Sequence, residues 1–324
     1  MYKSLRKICG CFYLLLILAL PISVCAQTNA PIANVTPAVA PAPPVPAGIE
    51  VLHDVIIGKG GTQDLHAEIA YPKDAPKPLP AVIYIHGGGW IGGSYKKTPF
   101  IKIAAKGYFG ASIEYRLSNV AKWPAQIQDC ELAVRWLRAN AAKYNVDPNN
   151  IGVWGDSAGG HLVACLGTMA DVKEYQGEGG YPGVSGAVQA VVDFFGPTDM
   201  TRPDIYSPMA LKLTEGLFGV PYTQNPNLWK SGSPLYYVAA GDPPMLMVHG
   251  SSDTLVPPAQ SILFDEALAK AGVPHQLLLV KNAGHTFKPD PGTKIDPPWA
   301  AIDKTMLDFL GKYVGPPQKP APGT

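Results

Sequence analysis

A serine flanked by two glycines is the feature of this sequence that most directly suggests chemistry. Residues 155–159 read GDSAG, with Ser157 at the centre. A β-rich apolar run, 151–154, precedes this segment, and a run with helical character, 158–170, follows it. A strand that turns directly into a helix needs glycine on both sides of the serine, because side chains there would collide with neighbouring backbone. The turn would lift the Ser157 hydroxyl above a sheet, where it could act as a nucleophile. Ser185 has a similar glycine-flanked setting but precedes a predicted strand.

A serine hydroxyl attacks only when a base removes its proton, and the base is sought among the seven histidines. His285 follows the predicted strand 276–281 and therefore lies at its carboxyl end. His275 begins that strand and lies at the opposite edge, while His161 is on the helix leading away from Ser157. The chain order serine, acid, histidine favours His285. The remaining histidines are interpreted as structural: His53 and His66 on an edge hairpin, and His86 and His249 as turn residues at strand ends.

The base needs an acidic partner that orients its imidazole and stabilises the charged form. Asp253 follows the predicted strand 245–249, and Asp199 follows the strand before it. Both are candidates, and the position after the penultimate strand favours Asp253. The alternative role for Asp199 is to cap the next segment. Asp156 lies inside the turn that carries Ser157, so its side chain is expected to point away from the base.

A second glycine-rich segment, residues 86–90 (HGGGW), follows the predicted strand 81–86. Acyl transfer places negative charge on a carbonyl oxygen, and glycines allow backbone N–H groups to turn towards that oxygen. The alternative is a flexible loop without a role. Neither glycine-rich segment has the context of a nucleotide-binding fingerprint, and no His/Cys cluster has zinc spacing. We therefore expect no cofactor and no metal.

Alternating strands and helices surround these residues. The predicted strands cover 51–57, 65–71, 81–86, 110–114, 151–154, 188–195, 245–249 and 276–281. The predicted helices cover 99–106, 124–144, 158–170, 257–271 and 298–313. This order indicates an α/β fold with a mostly parallel eight-stranded sheet and helices on both faces. The first two strands, joined by a turn at 58–62, are expected to form an antiparallel edge. One catalytic domain should extend over 48–315.

Residues 198–244 separate two strands by far more than an ordinary connection. The segment contains a predicted helix, 208–218, and then a loop rich in proline and asparagine. Its apolar residues must pack on the domain or line a cleft. We interpret the segment as a small cap insertion over the strand ends; a surface insertion without function is the alternative.

The amino terminus has the pattern of a secretory signal. A basic region is followed by the apolar run 12–20 and by a small-residue cleavage site at Ala26. A membrane anchor or a lipoprotein at Cys25 are the alternatives, but the apolar run is short for a bilayer. We therefore expect a signal peptide over 1–26, a Pro/Ala-rich linker over 27–47, a disordered tail over 316–324, and a secreted or periplasmic protein without stable membrane insertion.

Charge and cysteine content narrow the possible partners. The formal net charge is +1, which gives no electrostatic reason to expect nucleic acid. Three of the five cysteines fall in the leader, leaving Cys130 and Cys165. Both lie in predicted helices, and two buried free thiols are favoured over a bridge.

The segments 84–90, 123–126, 155–161, 195–199 and 249–257, with Pro243 and Pro244, resemble the bacterial bifunctional feruloyl and acetyl esterases. These belong to the hormone-sensitive-lipase-like branch of the α/β-hydrolase superfamily. The resemblance covers about residues 50–313. It implies an α/β-hydrolase fold, a triad at Ser157, Asp253 and His285, and oxyanion donors at the backbone of Gly88, Gly89 and Ala158. Thr286 departs from the pattern, which has a small residue such as glycine after the histidine.

The resemblance implies a serine carboxylic ester hydrolase that acts on a small-molecule or carbohydrate ester and forms an acyl-enzyme on Ser157. A peptidase or formamidase could use the same triad. A non-catalytic binding domain on the same scaffold is a third possibility, although such domains usually lack a triad member. The sequence does not identify the substrate-binding residues or the oligomeric state.

Overall fold

The computed structural model describes residues 45–96 and 99–318, so the predicted signal peptide and most of the predicted linker and tail lie outside the described residues. The strands are β1 Ile49–Gly60, β2 Gln63–Pro72, β3 Leu79–Ile85, β4 Phe109–Ile113, β5 Val146–Asp156, β6 Ala190–Phe194, β7 Met245–Gly250 and β8 His275–Val280. The helices are α1 Pro99–Ala104, α2 Ala125–Ala139, α3 Ala158–Thr168, α4 Lys173–Gln176, α5 Pro208–Phe218, α6 Pro226–Ser231, α7 Ala259–Ala271 and α8 Trp299–Tyr313.

The eight strands form one sheet in the order β1-β2-β4-β3-β5-β6-β7-β8. The β1–β2 and β2–β4 pairs are antiparallel, and every pair from β4 to β8 is parallel. The predicted antiparallel edge is therefore confirmed. The parallel strands bring the segments that follow β3, β5, β6, β7 and β8 to one edge of the sheet, where side chains from distant parts of the chain can meet.

Helices cover both faces of the sheet, as predicted. One apolar core includes residues of α2, α3 and α7 and the buried side chains of the segment between β6 and β7. The other lies between the sheet and α8 and includes Ile103 of α1. The central strand β3 is buried along its whole length, as a strand covered on both faces must be.

Several predicted bounds differ from the structure; β5, for example, covers Val146–Asp156, whereas the predicted strand covered 151–154. The hairpin turn is tighter than 58–62, because β1 continues to Gly60 and β2 begins at Gln63. The helix predicted over 124–144 divides into α2 and a 3₁₀ turn, Ala141–Tyr144. Asn140 lies between the two, and its side-chain amide and its backbone N–H both donate to the carbonyl of Trp136. Asn140 is thus the C-cap residue of α2.

The segment between β6 and β7 contains a second helix that the sequence analysis read as loop. Asn225 accepts a hydrogen bond from the N–H of Leu228 at 3.1 Å, and Pro226 begins α6. An N-cap asparagine followed by proline at the first helical position is a recognised helix start. The Asn-Pro pair was thus an available signal.

Two further observations concern the described part of the chain. Cys130 and Cys165 are buried and unbridged, as predicted, and burial raises the pKa of both thiols well above the ordinary value. Within residues 45–96 and 99–318, no helix is both long enough and apolar enough to cross a membrane.

Candidate active site

Ser157 occupies the one-residue turn between β5 and α3. Its backbone has φ +55° and ψ −117°, a strained conformation for a residue with a side chain. Its N–H donates to the carbonyl of Phe194 on β6 at 2.8 Å. The turn is therefore fastened to the neighbouring strand, which holds the serine above the carboxyl edge of the sheet.

The glycines beside Ser157 are required by close backbone contacts. A Cβ on Gly155 would lie 2.3 Å from the carbonyl oxygen of Gly159. A Cβ on Gly159 would lie 2.0 Å from the carbonyl oxygen of Ile85. Both distances are far below any tolerated carbon–oxygen contact, so the GDSAG spacing follows from packing at the turn.

The structure brings His285 and Asp253 to Ser157. Nε2 of His285 lies 3.0 Å from Oγ of Ser157, and Nδ1 lies 2.7 Å from Oδ2 of Asp253. A carboxylate can only accept, so Nδ1 carries the proton and Nε2 is left to accept from the serine hydroxyl. Of the residues named from the sequence, these three form one hydrogen-bonded series.

Asp253 is buried, and its carboxylate is surrounded by donors. Its Oδ1 accepts from the backbone N–H groups of Leu255 and Val256 at 2.9 and 3.0 Å. Burial alone would raise the pKa of Asp253, but hydrogen bonds from His249, His285 and the Val256 backbone together hold the pKa below its ordinary range. Asp253 is therefore a carboxylate both when His285 is neutral and when it is charged.

His249, interpreted from the sequence as a turn residue, also contacts this carboxylate. Its fully buried ring places Nε2 3.5 Å from Oδ2 of Asp253 and 2.9 Å from the carbonyl oxygen of Val256. Nδ1 lies 2.7 Å from Oγ of Ser261. His249 thus positions the acid from behind. The spacing of four residues between a strand-end histidine and the acid was the signal for this role.

The competing acid, Asp199, does not reach the base. Its Oδ1 accepts from the backbone N–H and the hydroxyl of Thr201, at 2.9 and 2.6 Å. No hydrogen bond joins Asp199 to His285 in the described part of the chain. The local capping role is the one that the structure gives it. Asp156 accepts instead from the hydroxyl of Tyr84.

The glycine loop after β3 lies against the turn that carries Ser157. A Cβ on Gly87 would lie 2.6 Å from the carbonyl oxygen of Asp156, and one on Gly88 would lie 2.4 Å from that of Gly92. The backbone N–H groups of Gly88 and Gly89 donate to no described residue. Ala158 opens α3, so its N–H has no partner within the helix. These are the three donors that the family resemblance implies.

Trp90 anchors the glycine loop through His161, another histidine whose role the sequence analysis did not find. The indole N–H donates to Nδ1 of His161 at 3.2 Å, and Nε2 of that ring lies 2.8 Å from the carbonyl oxygen of Gly232. His161 therefore joins the loop, α3 and the segment between β6 and β7. Burial lowers its pKa to about 4.

The wall beside the base contains an unusual backbone. Phe195 packs its ring edge-on to the His285 imidazole, with 4.8 Å between the ring centroids. Thr286 has φ +61°, in the left-handed region where glycine is favoured. This geometry explains why a small residue was expected after the histidine, and here a β-branched residue takes the strained conformation.

A cleft of about 370 Å³ opens over Ser157 and His285. The glycine loop lines one side, and Leu255 and Val256 line another. Ala210, Leu213 and Thr214 of α5 close it from above. Within the described residues, no cluster of three or more His, Cys, Asp or Glu side chains could hold a metal ion.

A parallel sheet with antiparallel edge strands, a serine on the turn after β5, and an acid and histidine after β7 and β8 define the α/β-hydrolase superfamily. The BD-FAE family model matches residues 67–268, and the chain belongs to that family.

Named proteins similar to this chain are esterases. The chain is 33% identical to Esterase LipQ of Mycobacterium tuberculosis over 81% of its own length and 62% of the length of LipQ. A solved structure of a truncated carbohydrate esterase from gut microbiota superposes with a TM-score of 0.72 at 30% identity, covering 82% of this chain and 96% of that one. A solved structure of a bifunctional GH43-CE protein of Bacteroides eggerthii superposes with a TM-score of 0.69 at 32% identity. The match covers 81% of this chain and 38% of that one.

Proposed function

We propose that this chain is a serine carboxylic ester hydrolase that removes acetyl or feruloyl groups from carbohydrate esters. The observation that carries the proposal is the series Ser157–His285–Asp253 beside the backbone N–H groups of Gly88 and Gly89, which donate to no described residue. Membership of the BD-FAE family and the similarity to proteins named esterase support ester hydrolysis. The neighbour named carbohydrate esterase supports a carbohydrate as the alcohol part.

The geometry supports an acyl-enzyme mechanism. Oγ of Ser157 attacks the ester carbonyl carbon while Nε2 of His285 takes the hydroxyl proton. Asp253 holds the ring with Nδ1–H towards itself and stabilises the imidazolium that forms. The carbonyl oxygen becomes negative and accepts hydrogen bonds from the backbone N–H groups that face the cleft.

The same histidine then completes both halves of the reaction. It gives its proton to the alcohol oxygen as the ester bond breaks, leaving the acyl group on Ser157. A water molecule, deprotonated by Nε2, attacks the acyl carbon, and the proton returns to Oγ as the free acid leaves. No group beyond these side chains and water is required to balance the steps.

The experiment uses a fluorophosphonate probe that reacts with an activated serine. We expect mass spectrometry to find the label on Ser157, and none on the Ser157→Ala protein. Ser185→Ala is the matched control, because Ser185 is an exposed serine that has a glycine two residues before it and another directly after it, and it does not line the cleft. Labelling that persists in Ser157→Ala, or an unlabelled wild type, would refute the proposal.

Substrate assays distinguish ester from amide hydrolysis and one acyl group from another. We expect p-nitrophenyl acetate to be turned over far faster than 4-nitroacetanilide, its amide analogue. Comparable rates would favour the peptidase or formamidase alternative. Release of acetate from acetylated xylan and of ferulate from methyl ferulate then identifies the acyl group. Export of the protein remains a proposal supported by the pattern of residues 1–26.

A further inference from the structure

The loop that carries His285 has a strained backbone directly after the histidine. Two consecutive residues with side chains have positive φ, Thr286 at +61° and Phe287 at +54°. A β-branched or aromatic residue rarely takes this left-handed conformation, because its Cβ then lies too close to the backbone. Such strain persists only where surrounding contacts impose it. The contacts that hold these two residues therefore also fix the position of His285.

Backbone hydrogen bonds close the stem of this loop. The N–H of Gly284 donates to the carbonyl of Lys288 at 2.8 Å, and the N–H of Asp290 donates to the carbonyl of Asn282 at 2.9 Å. Within the tip, the N–H of Phe287 donates to the carbonyl of Gly284 at 3.0 Å. A single backbone hydrogen bond contributes little net stability, because water competes for both groups. The left-handed tip therefore needs a further contact to hold it.

The ring of Phe287 supplies that contact, because it is fully buried among three aromatic side chains. The centroid of the Phe287 ring lies 5.5 Å from that of Phe194, 5.0 Å from that of Phe195 and 5.0 Å from that of Trp299. We call Phe194, Phe195 and Trp299 the aromatic cage. All three contacts are edge-on, an arrangement that aromatic pairs prefer. Burial of a phenylalanine ring contributes more to stability than one backbone hydrogen bond does.

Two residues of the cage also contact the catalytic series. The carbonyl of Phe194 accepts the hydrogen bond from the N–H of Ser157, and the ring of Phe195 packs edge-on against the imidazole of His285. The end of β6 therefore contacts the nucleophile turn on one side and the base loop on the other. If Phe287 left the cage, His285 could move while Ser157 stayed fastened to β6.

Building on the proposed ester hydrolysis, we propose that Phe287 is a positioning residue for the base: its burial in the aromatic cage holds the strained loop so that Nε2 of His285 faces Ser157. Phe287 does not line the catalytic cleft, so its role acts through His285 and not through the substrate. Nε2 and Oγ of Ser157 are 3.0 Å apart. A misplacement of about 1 Å between reacting groups can cost about 10²-fold in rate.

The test measures kcat and KM for p-nitrophenyl acetate in Phe287→Leu, which keeps an apolar side chain but loses the edge-on contacts. We expect kcat per folded molecule to fall about 10- to 10²-fold, with KM within twofold of wild type. The rate of fluorophosphonate labelling at Ser157 should fall in parallel, because the base activates the hydroxyl. Phe309→Ala is the control. Phe309 belongs to the same apolar core but lies near the other end of α8 from Trp299, so kcat should be unchanged.

A second substitution distinguishes positioning from a general loss of stability. Glycine takes the left-handed region without penalty, so Thr286→Gly lowers the strain that the cage must offset. The loss of kcat caused by Phe287→Leu should therefore be about threefold or more smaller in the Thr286→Gly background than in the wild-type background. A packing defect that did not act through the loop would lower kcat by the same factor in both backgrounds.

Trp299→Ala opens the cage from the solvent side. The Trp299 side chain is half exposed, so the fold should survive its truncation. We expect a smaller loss of kcat, about threefold, again without a change in KM, and recovery in Trp299→Phe, which keeps an aromatic contact with Phe287. This variant decides the question if Phe287→Leu does not fold.

A kcat within twofold of wild type in folded Phe287→Leu, or a loss that appears in KM instead, overturns the inference. An equal loss in the two backgrounds at position 286 also overturns it, as does an unchanged kcat in Trp299→Ala. Failure of the proposed function is recognised separately, because the wild-type protein would then hydrolyse no p-nitrophenyl ester and would escape fluorophosphonate labelling.

Discussion

The indole N–H of Trp90 donates to Nδ1 of His161 across 3.2 Å, and this bond ties the glycine loop to the helix that follows Ser157. Because Nδ1 accepts, the ring proton of neutral His161 is on Nε2, where it is donated to the carbonyl of Gly232. A second proton would have to enter at Nδ1, facing the Trp90 N–H. The arrangement therefore admits only the neutral histidine.

This relationship predicts a loss of stability in mild acid. The pKa of His161 is lowered by burial to about 4, against about 6.5 in an unfolded chain. The unfolded chain therefore binds more protons between these values. The contribution of the neutral His161 ring to the free energy of unfolding is fully present above about pH 6.5 and is lost as the pH falls towards 4. The total loss is about 3 kcal/mol.

The measurement is urea unfolding at pH 7 and pH 4.5 for wild type and His161→Gln. Burial raises the pKa of Asp193 to about 6 and that of Glu131 to about 7, and these groups shift stability in the opposite direction over the same range. The difference between wild type and variant isolates His161. Equal pH dependence in the two proteins would contradict the prediction.

Ser157→Ala should abolish turnover while the fold is retained. Loss of the nucleophile is expected to lower kcat by roughly 10³-fold or more. The side chain lies at a turn, and the backbone bond from residue 157 to Phe194 does not depend on the hydroxyl. Initial rates on p-nitrophenyl acetate and the thermal midpoint check both parts. Activity within tenfold of wild type would remove Ser157 from its proposed role.

Asp253→Asn should cost far more activity than Asp199→Asn. An amide at position 253 cannot stabilise the imidazolium and favours the wrong ring tautomer, with an expected loss on the order of 10⁴-fold in kcat. Within the described residues the Asp199 carboxylate accepts hydrogen bonds only from Thr201, so its replacement should affect the local turn. The two variants are compared by kcat at equal folded fraction. A larger loss in Asp199→Asn would reverse the assignment of the acid.

Within the segment between β6 and β7, some residues should set the acyl preference and others should stabilise the fold. Leu213 lines the catalytic cleft, whereas Trp229 is fully buried and stacks on Phe218 at 5.1 Å between ring centroids. We expect Leu213→Ala to shift preference towards longer acyl chains, each methylene being worth about 1–3 kcal/mol. Trp229→Ala should instead lower stability by about 3–5 kcal/mol.

A p-nitrophenyl ester series from acetate to octanoate, together with urea unfolding, distinguishes the two effects. Leu211 serves as the control, because it is half-buried and packs on the core without lining the cleft. An unchanged chain-length profile in Leu213→Ala would mean that α5 does not form the acyl pocket.

Much of the frame could be predicted from the sequence because the signals are short-range. The alternation of apolar residues in strands and the spacing of apolar faces in helices are patterns within one element. These patterns were enough to predict the eight strands and a mostly parallel sheet. The requirement for glycine at residue 155 is equally local, since the contact that excludes a side chain there is made by Gly159, four residues away. Such constraints are visible in a string of letters.

Only the tertiary structure decided which distant side chains meet. Asp199 and Asp253 both follow strands at the same edge, and the order β6-β7-β8 places the loop after β7 beside that of β8, so Asp253 reaches His285. His249 and His161 acquire their roles from partners brought by other loops. A cavity of about 1030 Å³ lies between α1 and α8, which are about 200 residues apart in sequence, and its shape depends on how each helix packs on the sheet. No local sequence pattern contains these long-range contacts, because they are set by strand order and packing.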